Sequence, residues 1–434
     1  MNEYAKSLTN ALLQDDPEIE WKITNGIDAN RKGFGEIILK DADGNPIPRA
    51  DIAIRQTRHE FHFGCNAFMF GQFPQQEQNE QYAAAFADLF NLAVIPFYWS
   101  DLEPEDGHLR FAKDSIPIYR RPAPDMVLEF CEQHHITPKG HPLCWQHFFP
   151  AWMPNEPQAI ALRLDRRFRE IAERYADKIH IWDTVNEAQS WNPLDRRFPE
   201  NHIEYCFKLA ERYFPGSTLL YNDDRIWWNY RGEYTPVYLL VRHLQEQGLP
   251  VGGLGLQFHM FDNLLPEANQ FLNPRHLYAC MDQYHKLGIP INFSEVSIIS
   301  RRDLGDGDEF QRLVAEKLYR IWFSHPATNG IIWWNMVDGT AAYAPLGSED
   351  GENSLRAGLL NYDFSDKPAC SALRHLIHKE WMTNTTLDYV NGAVNKFHGF
   401  FGNYTLTIST KNGSFEKQVM LGKNTSNVYE LEVR

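Results

Sequence analysis

The sequence predicts a (β/α)8 TIM barrel with a small accessory β-sandwich built from its N- and C-terminal segments. Three observations lead there. From about residue 60 to residue 380, eight short apolar runs alternate with amphipathic helical stretches. No GxGxxG fingerprint follows the first run, which argues against a doubly wound dinucleotide fold. Towards both ends the pattern changes to period-two alternation bounded by turn formers.

In chain order the strand-like runs are EFHFGCN (60–66), FNLAVIPFY (90–98), ITPKGHPLCW (136–145) and IHIWDTVNE (179–187), then TLLYND (218–223), GLGLQFH (253–259), IPINFSEVS (289–297) and NGIIWWN (329–335). Between them, QAIALRLDRRFREIAERYADK and EFQRLVAEKLYRIWF repeat apolar residues at spacings of three and four, with charges opposite. The charged run RLDRRFRE is expected to be a solvated helix face. Residues 20–58 hold GEIILKDADGNPIPRADIAIRQ, two alternating runs around the turn former Asp43-Gly44-Asn45-Pro46. Residues 384–434 hold GNYTLTISTKNGSFEKQVML, a hairpin pattern with an Asn412-Gly413 turn. Neither end has enough strands to stand alone, so the two are expected to pair in one sandwich flanking the barrel. The expected organisation is residues 1–58 contributing strands to the accessory domain, 59–382 as the barrel, and 383–434 as the accessory domain's C-terminal β segment.

Composition limits the partners. The 434 residues carry a formal net charge of −15, which argues against the basic face that nucleic acid requires and against an anionic membrane surface. No run is long enough to span a bilayer, and the N-terminus lacks an apolar leader core. The expected location is cytoplasmic if the chain is complete, and secreted or periplasmic if a leader was trimmed. Cys65, Cys131, Cys144, Cys206, Cys280 and Cys370 show no metal-like spacing, and most lie in apolar segments, as buried free thiols do. His134, His135, His141 and His147 fit no ligand pattern, and the first two close a helix, where a cation suits the dipole. Neither a metal nor a cofactor is expected.

In a (β/α)8 barrel the chemistry sits at the C-terminal ends of the strands. Those ends carry Asn66, Tyr98, His141 and Trp145, Asn186 and Glu187, Asn222 and Asp223, Gln257 and His259, Glu295, and Trp334 and Asn335. Two of these are glutamates, on the fourth and seventh strands, which face each other across the mouth. A facing carboxylate pair suits glycoside hydrolysis: one group protonates the departing oxygen, the other attacks or activates water at the anomeric carbon. Two close carboxylates cannot easily both ionise, which separates their roles.

These same segments resemble glycoside hydrolase family 10, the xylanase family of clan A. WDTVNEA is similar to its acid/base motif WDVVNEA, and NFSEVS to its nucleophile strand ITELD. GLGLQFH resembles GIGxQxH, KGHPLCW resembles RGHTLVW, and YNDD resembles NDY. IIWWNMVDG and LLNYDFSDKPACSAL are similar to WGVTD and LLFDxxxxPKPAY, and LEPEDGHLRF matches the segment after strand two. The resemblance runs in order over roughly residues 60 to 380. It implies Glu187 as general acid/base and Glu295 as nucleophile. It also implies Asn186 on the 2-hydroxyl of the reacting sugar, His259 against Glu295, and Gln257 holding the region of Glu187. His141 and Trp145 would line the glycone side, Trp334 would be the platform, and Asn66 and Tyr98 would complete the substrate-binding set. The implied activity is retaining, endo-β-1,4-xylanase-like cleavage of a β-linked oligo- or polysaccharide.

The departures fall on recognition. Where the family has an ENEMKW-like run gripping the glycone sugars, this chain reads IPFYWSDLEP, with Tyr98 and Trp99 in place of polar groups. Gln146 stands for the second His of GHTLVWH, Ala342 for a second Trp beside Tyr343, and Asp224 for the Tyr of NDY. These changes keep open two alternatives: a retaining glycosidase for a non-xylan glycan or a glycoside with an apolar aglycone, and a non-catalytic carbohydrate-binding barrel.

Overall fold

The computed structural model describes residues 1–189, 199–224, 226–227, 230–261 and 264–433, which form two compact units. Fifteen strands run through them, beginning with β1 (Lys32–Lys40) and β2 (Arg49–His59). The barrel strands are β3 (His62–Asn66), β4 (Leu92–Pro96), β5 (Thr137–His141), β6 (Ile181–Asn186), β7 (Thr218–Asp223), β8 (Gly253–His259), β9 (Ile291–Ser297) and β10 (Thr328–Trp333). The chain ends with β11 (Asn384–Val390), β12 (Lys396–Phe400), β13 (Gly402–Thr410), β14 (Gly413–Leu421) and β15 (Val428–Glu432).

The first unit comprises Met1–Asp15, Phe63–Tyr319 and Ala327–Ser371. Its eight strands close in the order β10-β3-β4-β5-β6-β7-β8-β9, and the pairings from β3 through β10 are parallel. Each strand lies within, or one residue from, the apolar run that predicts it. Parallel strands covered by helices are buried on both faces, which is why they read as continuous apolar runs. All six cysteines are buried and free.

The helix Pro157–Tyr175 corrects one expectation. It buries Ile160, Leu164, Phe168, Ile171 and Tyr175 on one face, as the spacing predicts. Arg167, inside the supposedly solvated run, lies on that same face and is 2% exposed. Its guanidinium donates to the carbonyls of Leu143 (2.7 Å), Pro142 (3.1 Å) and Phe97. Burial lowers its pKa to about 10, so it remains charged. A cation sequestered there must satisfy its donors, and the backbone at the ends of β4 and β5 does so.

The second unit comprises Asp16–His62, Arg320–Pro326 and Ala372–Arg434. It holds a three-stranded sheet, β12-β1-β15, and a four-stranded sheet, β11-β2-β13-β14. Ile37 and Leu39 from the first sheet share one core with Ala50, Ile52, Ile54, Tyr404, Leu406 and Ile408 from the second. Strands from both ends of the chain thus build one sandwich. The hairpin turn falls one residue early: Thr410 pairs with Gly413, so Lys411-Asn412 forms the turn.

The N-terminal residues before Lys32 are helical, a feature the strand reading of residues 1–58 omits. Asn2 caps Glu3–Leu13 by accepting from the Ala5 amide at 2.9 Å. Asp16 caps Pro17–Arg31, with proline at the first turn and Ile19, Ile23 and Ile27 buried at four-residue spacing. Only the first of these helices belongs to the barrel unit.

One barrel position depends on a missing side chain. A Cβ on Gly140 would stand 2.1 and 2.2 Å from ring carbons of Trp182, which is fully buried. Gly140→Ala is expected to destabilise the fold by about 1–3 kcal/mol through overpacking. Denaturant unfolding measures this, and an unchanged midpoint would mean that the indole moves aside.

Candidate active site

The barrel brings Glu187 and Glu295 to one place. Glu187 follows the last residue of β6 in left-handed backbone (φ 51°), where its amide donates to the Asn222 carbonyl on β7 at 2.8 Å. Glu295 lies within β9. Between β7 and β9, β8 supplies Gln257, whose side-chain amide nitrogen donates to Glu187 Oε1 at 2.9 Å and to Glu295 Oε1 at 3.1 Å. One nitrogen at those two distances holds the two oxygens no more than about 6 Å apart. The glutamates are 9% and 5% exposed, so their charges are managed by protein groups more than by water.

Glu295 is held by further donors. Asn222 Nδ2 donates to Glu295 Oε1 at 2.9 Å and to Asn186 Oδ1 at 2.6 Å. His259 Nε2 lies 3.3 Å from Glu295 Oε2, and its Nδ1 lies 2.9 Å from the Ser297 hydroxyl. A carboxylate only accepts, which places the imidazole proton on Nε2. His141 Nε2 stands 3.9 Å from Glu295 Oε1.

Behind His141 lies a buried ionic cluster. Asp183 Oδ2 accepts from His141 Nδ1 at 2.8 Å and from the Lys139 ammonium at 2.9 Å. Burial works to raise the Asp183 carboxyl, but Lys139 and His141 outweigh it and hold the group below its ordinary value. Lys139 and His141 are two residues apart on β5 and so share a face of that strand.

Aromatic rings surround this centre. Trp334 stands edge-on to Phe68 (5.1 Å), His141 (5.6 Å) and His259 (6.3 Å). Tyr98 packs on Phe148 (4.5 Å), and on Phe68, His141 and Trp145 (each 5.6 Å). The Arg121 guanidinium covers the Tyr98 ring at 3.8 Å, a cation–π contact, and is paired with Asp101 at 2.8 Å. Burial raises the Tyr98 phenol well above its usual range, so it stays a neutral hydroxyl. His141 Nε2, Trp145 Nε1 and Asn186 Nδ2 are buried polar atoms with no hydrogen-bond partner among the described residues.

The model of the family described as glycosyl hydrolase family 10 matches residues 63–375. The chain belongs to glycosyl hydrolase family 10. Among curated family relatives, Endo-1,4-beta-xylanase 2 of Arabidopsis thaliana is 25% identical over 399 residues, covering 89% of this chain and 33% of the relative. Anti-sigma-I factor RsgI6 of Acetivibrio thermocellus is 24% identical, covering 90% of this chain and 47% of the relative. The chain thus spans between a third and a half of the length of these relatives. Xylanase 10B from Thermotoga petrophila RKU-1, solved in complex with xylobiose, shares the fold at a TM-score of 0.60 and 22% identity, over 74% of this chain and 95% of that one.

Within this family 10 barrel, Glu187, Glu295, Asn186, Gln257, His259, His141, Trp145, Tyr98 and Trp334 all gather at one mouth. Asn66 is 1% exposed, and its amide reaches towards Asn335 at 3.5 Å. Trp333 points away, with its indole donating to the Ala357 carbonyl at 3.0 Å. Trp99 does not add to the aromatic lining: it is 3% exposed, packs on Phe149 and Trp152, and donates to Glu103 at 2.9 Å. It starts a short helical turn, Trp99–Leu102, which turns it off the strand's inward face. Sequence reasoning left Asn222 without a role and missed Lys139, Asp183, Ser297, Phe68 and Arg121. A charge inside the apolar run IHIWDTVNE was a readable signal for Asp183; Arg121 lies in a loop without periodicity.

The Asp183 carboxyl, held low in the folded state, stabilises the fold above its unfolded pKa, and that contribution is lost as pH falls through the folded value. Asp183→Asn is expected to cost about 3–5 kcal/mol at neutral pH, because it leaves the Lys139 charge buried and uncompensated. The gap from wild type should narrow only below roughly pH 4. Urea unfolding across pH checks both the size and the sign.

Proposed function

We propose that this chain is a retaining β-glycoside hydrolase of the endo-1,4-β-xylanase type. The observation that carries the reading is the Gln257 amide shared by Glu187 and Glu295, with the two acceptor oxygens at most about 6 Å apart. Retaining enzymes hold their carboxyl groups about 5–5.5 Å apart, whereas inverting ones leave roughly 6.5–9.5 Å for a water. Similarity to the endo-1,4-beta-xylanases of Arabidopsis thaliana supports a xylan-type substrate.

In this mechanism Glu295, held in place by donors from Asn222, Gln257 and His259, attacks the anomeric carbon. The glycosidic bond breaks as Glu187 delivers its proton to the departing oxygen, leaving a glycosyl ester on Glu295. Glu187, now a carboxylate, takes a proton from water as that water attacks the same carbon, and the Glu295 ester bond breaks. The open Asn186 Nδ2 donor suits the sugar's 2-hydroxyl, where a hydrogen bond strengthens as positive charge develops. Each buried donor left without a partner costs about 1–3 kcal/mol, which a bound hydroxyl recovers.

A second reading, hydrolysis of a non-xylan β-glycoside, is favoured by one observation. The glycone side presents the Tyr98 ring backed by Arg121 where the family pattern has polar groups.

The test uses nitrophenyl β-glycosides and unactivated oligosaccharides. Glu295→Ala is expected to abolish release from both. Glu187→Ala is expected to lose about 10²–10⁴-fold on oligosaccharides and much less where the leaving group needs no proton. Rates for Glu295→Ala equal to wild type would end the catalytic reading in favour of a carbohydrate-binding barrel. Strong, exclusive cleavage of xylan across a polysaccharide panel would remove the second reading.

A further inference from the structure

We infer that Tyr343, on the loop after β10, is an exposed platform on which a sugar ring of the substrate stacks at the mouth of the barrel. The inference rests on the hydrolase reading above and deepens it by naming a side chain that grips the glycan. Tyr343 is 78% exposed, whereas Tyr98 and Trp334 at the same mouth are buried against their neighbours. A single exposed ring is ordinary on a protein surface. This one is held there at a cost.

The backbone of Tyr343 is left-handed, at φ 56°. That conformation crowds the Cβ of any residue but glycine, and for a bulky side chain it is an outlier. The loop is fixed on both sides of it. The Ala341 amide donates to Asn353 Oδ1 at 2.8 Å, and the Asn353 side-chain amide donates to the Pro345 carbonyl at 3.0 Å. The Arg120 guanidinium donates to the Thr340 carbonyl. Ala341 and Ala344 are buried, so the tyrosine is carried on a tip between two anchored points. Strain that the surroundings impose gathers at functional sites, and here it presents a ring to solvent that adds nothing to the core.

The tip stands near the catalytic pair. The Tyr343 phenol is close enough to Arg121, Glu352, Asp101 and Glu187 for their charges to act on it. Those groups belong to the segments after β4, β6 and β10, which places the ring over the mouth between them. A β-linked pyranose with equatorial hydroxyls turns C–H groups to its two faces, and these suit an aromatic face. Its hydroxyl rim would meet the charged groups around the ring. Tyrosine supplies such a surface at low entropic cost, because only two side-chain torsions need to be fixed.

The experiment measures kcat and KM of the full chain on xylo-, cello- and manno-oligosaccharides, using the series that wild type cleaves fastest. The side chain is exposed, so its variants are expected to fold. Tyr343→Ala should raise KM about tenfold with kcat little changed, the size and pattern of one lost aromatic contact. Tyr343→Phe should keep the wild-type KM, because the ring face survives. Tyr343→Gly separates ring from backbone. It should share the KM of Tyr343→Ala, yet unfold at a higher denaturant concentration, because glycine relieves the left-handed strain. An unchanged KM in Tyr343→Ala, a recovered KM in Tyr343→Gly, or equal unfolding midpoints for those two overturn the platform and leave the hydrolase reading intact. A phenylalanine variant as weak as the alanine one overturns it too, since the hydroxyl would then be the contact. No turnover of any series, with Glu295→Ala indistinguishable from wild type, overturns both.

Discussion

The structure depends on one amide nitrogen that donates to two acidic side chains. Two like charges placed so close in a buried setting repel each other, and each resists ionisation. Gln257 offsets this by donating a hydrogen bond to each carboxyl group from a strand that cannot move without disturbing its neighbours in the closed sheet. Donors fixed in advance need no reorganisation during a reaction, which is why their worth exceeds that of the same contacts in water. Asn222 and His259 add further donors to Glu295.

Around that nitrogen the barrel places cations where a packed core would ordinarily hold hydrocarbon. Lys139 neutralises Asp183, which orients His141; Arg167 gathers the carbonyls that flank Tyr98 and His141. Charges cost much to bury, and each of these is matched by specific acceptors. The consequence is stiffness at the ends of β4 and β5, where the candidate sugar-binding side chains emerge. Rigid support behind a polar site preserves its geometry more reliably than contact area does.

Much of this could be read from the amino-acid order. The eight barrel strands were legible because parallel strands buried on both faces leave unbroken apolar runs, and both glutamates because each ends or interrupts such a run. Arg167 was not legible: helical spacing puts it on the buried face, but its charge suggested solvent, and only the carbonyls of distant strand ends reverse that. Trp99 followed Tyr98 in sequence and was read with it, although a helical turn begins between them and separates their directions. Arg120 and Arg121 sit in an aperiodic stretch, so their contacts with Thr340 and Tyr98 depend on tertiary proximity alone. The helices before Lys32 carried readable caps at Asn2 and Asp16, which attention to alternating strands passed over.

The pairing of β1 has a consequence for biosynthesis. Its partners are β12 and β15, while β2 pairs with β11 and β13, so neither early strand is completed by the other. During translation both must wait, edges unsatisfied, until the whole intervening barrel has left the ribosome. Such long-range closure is slow, and an unpaired edge is a template for the wrong neighbour. A ribosome that stalls between residues 59 and 384 therefore leaves β1 and β2 without any of their partners.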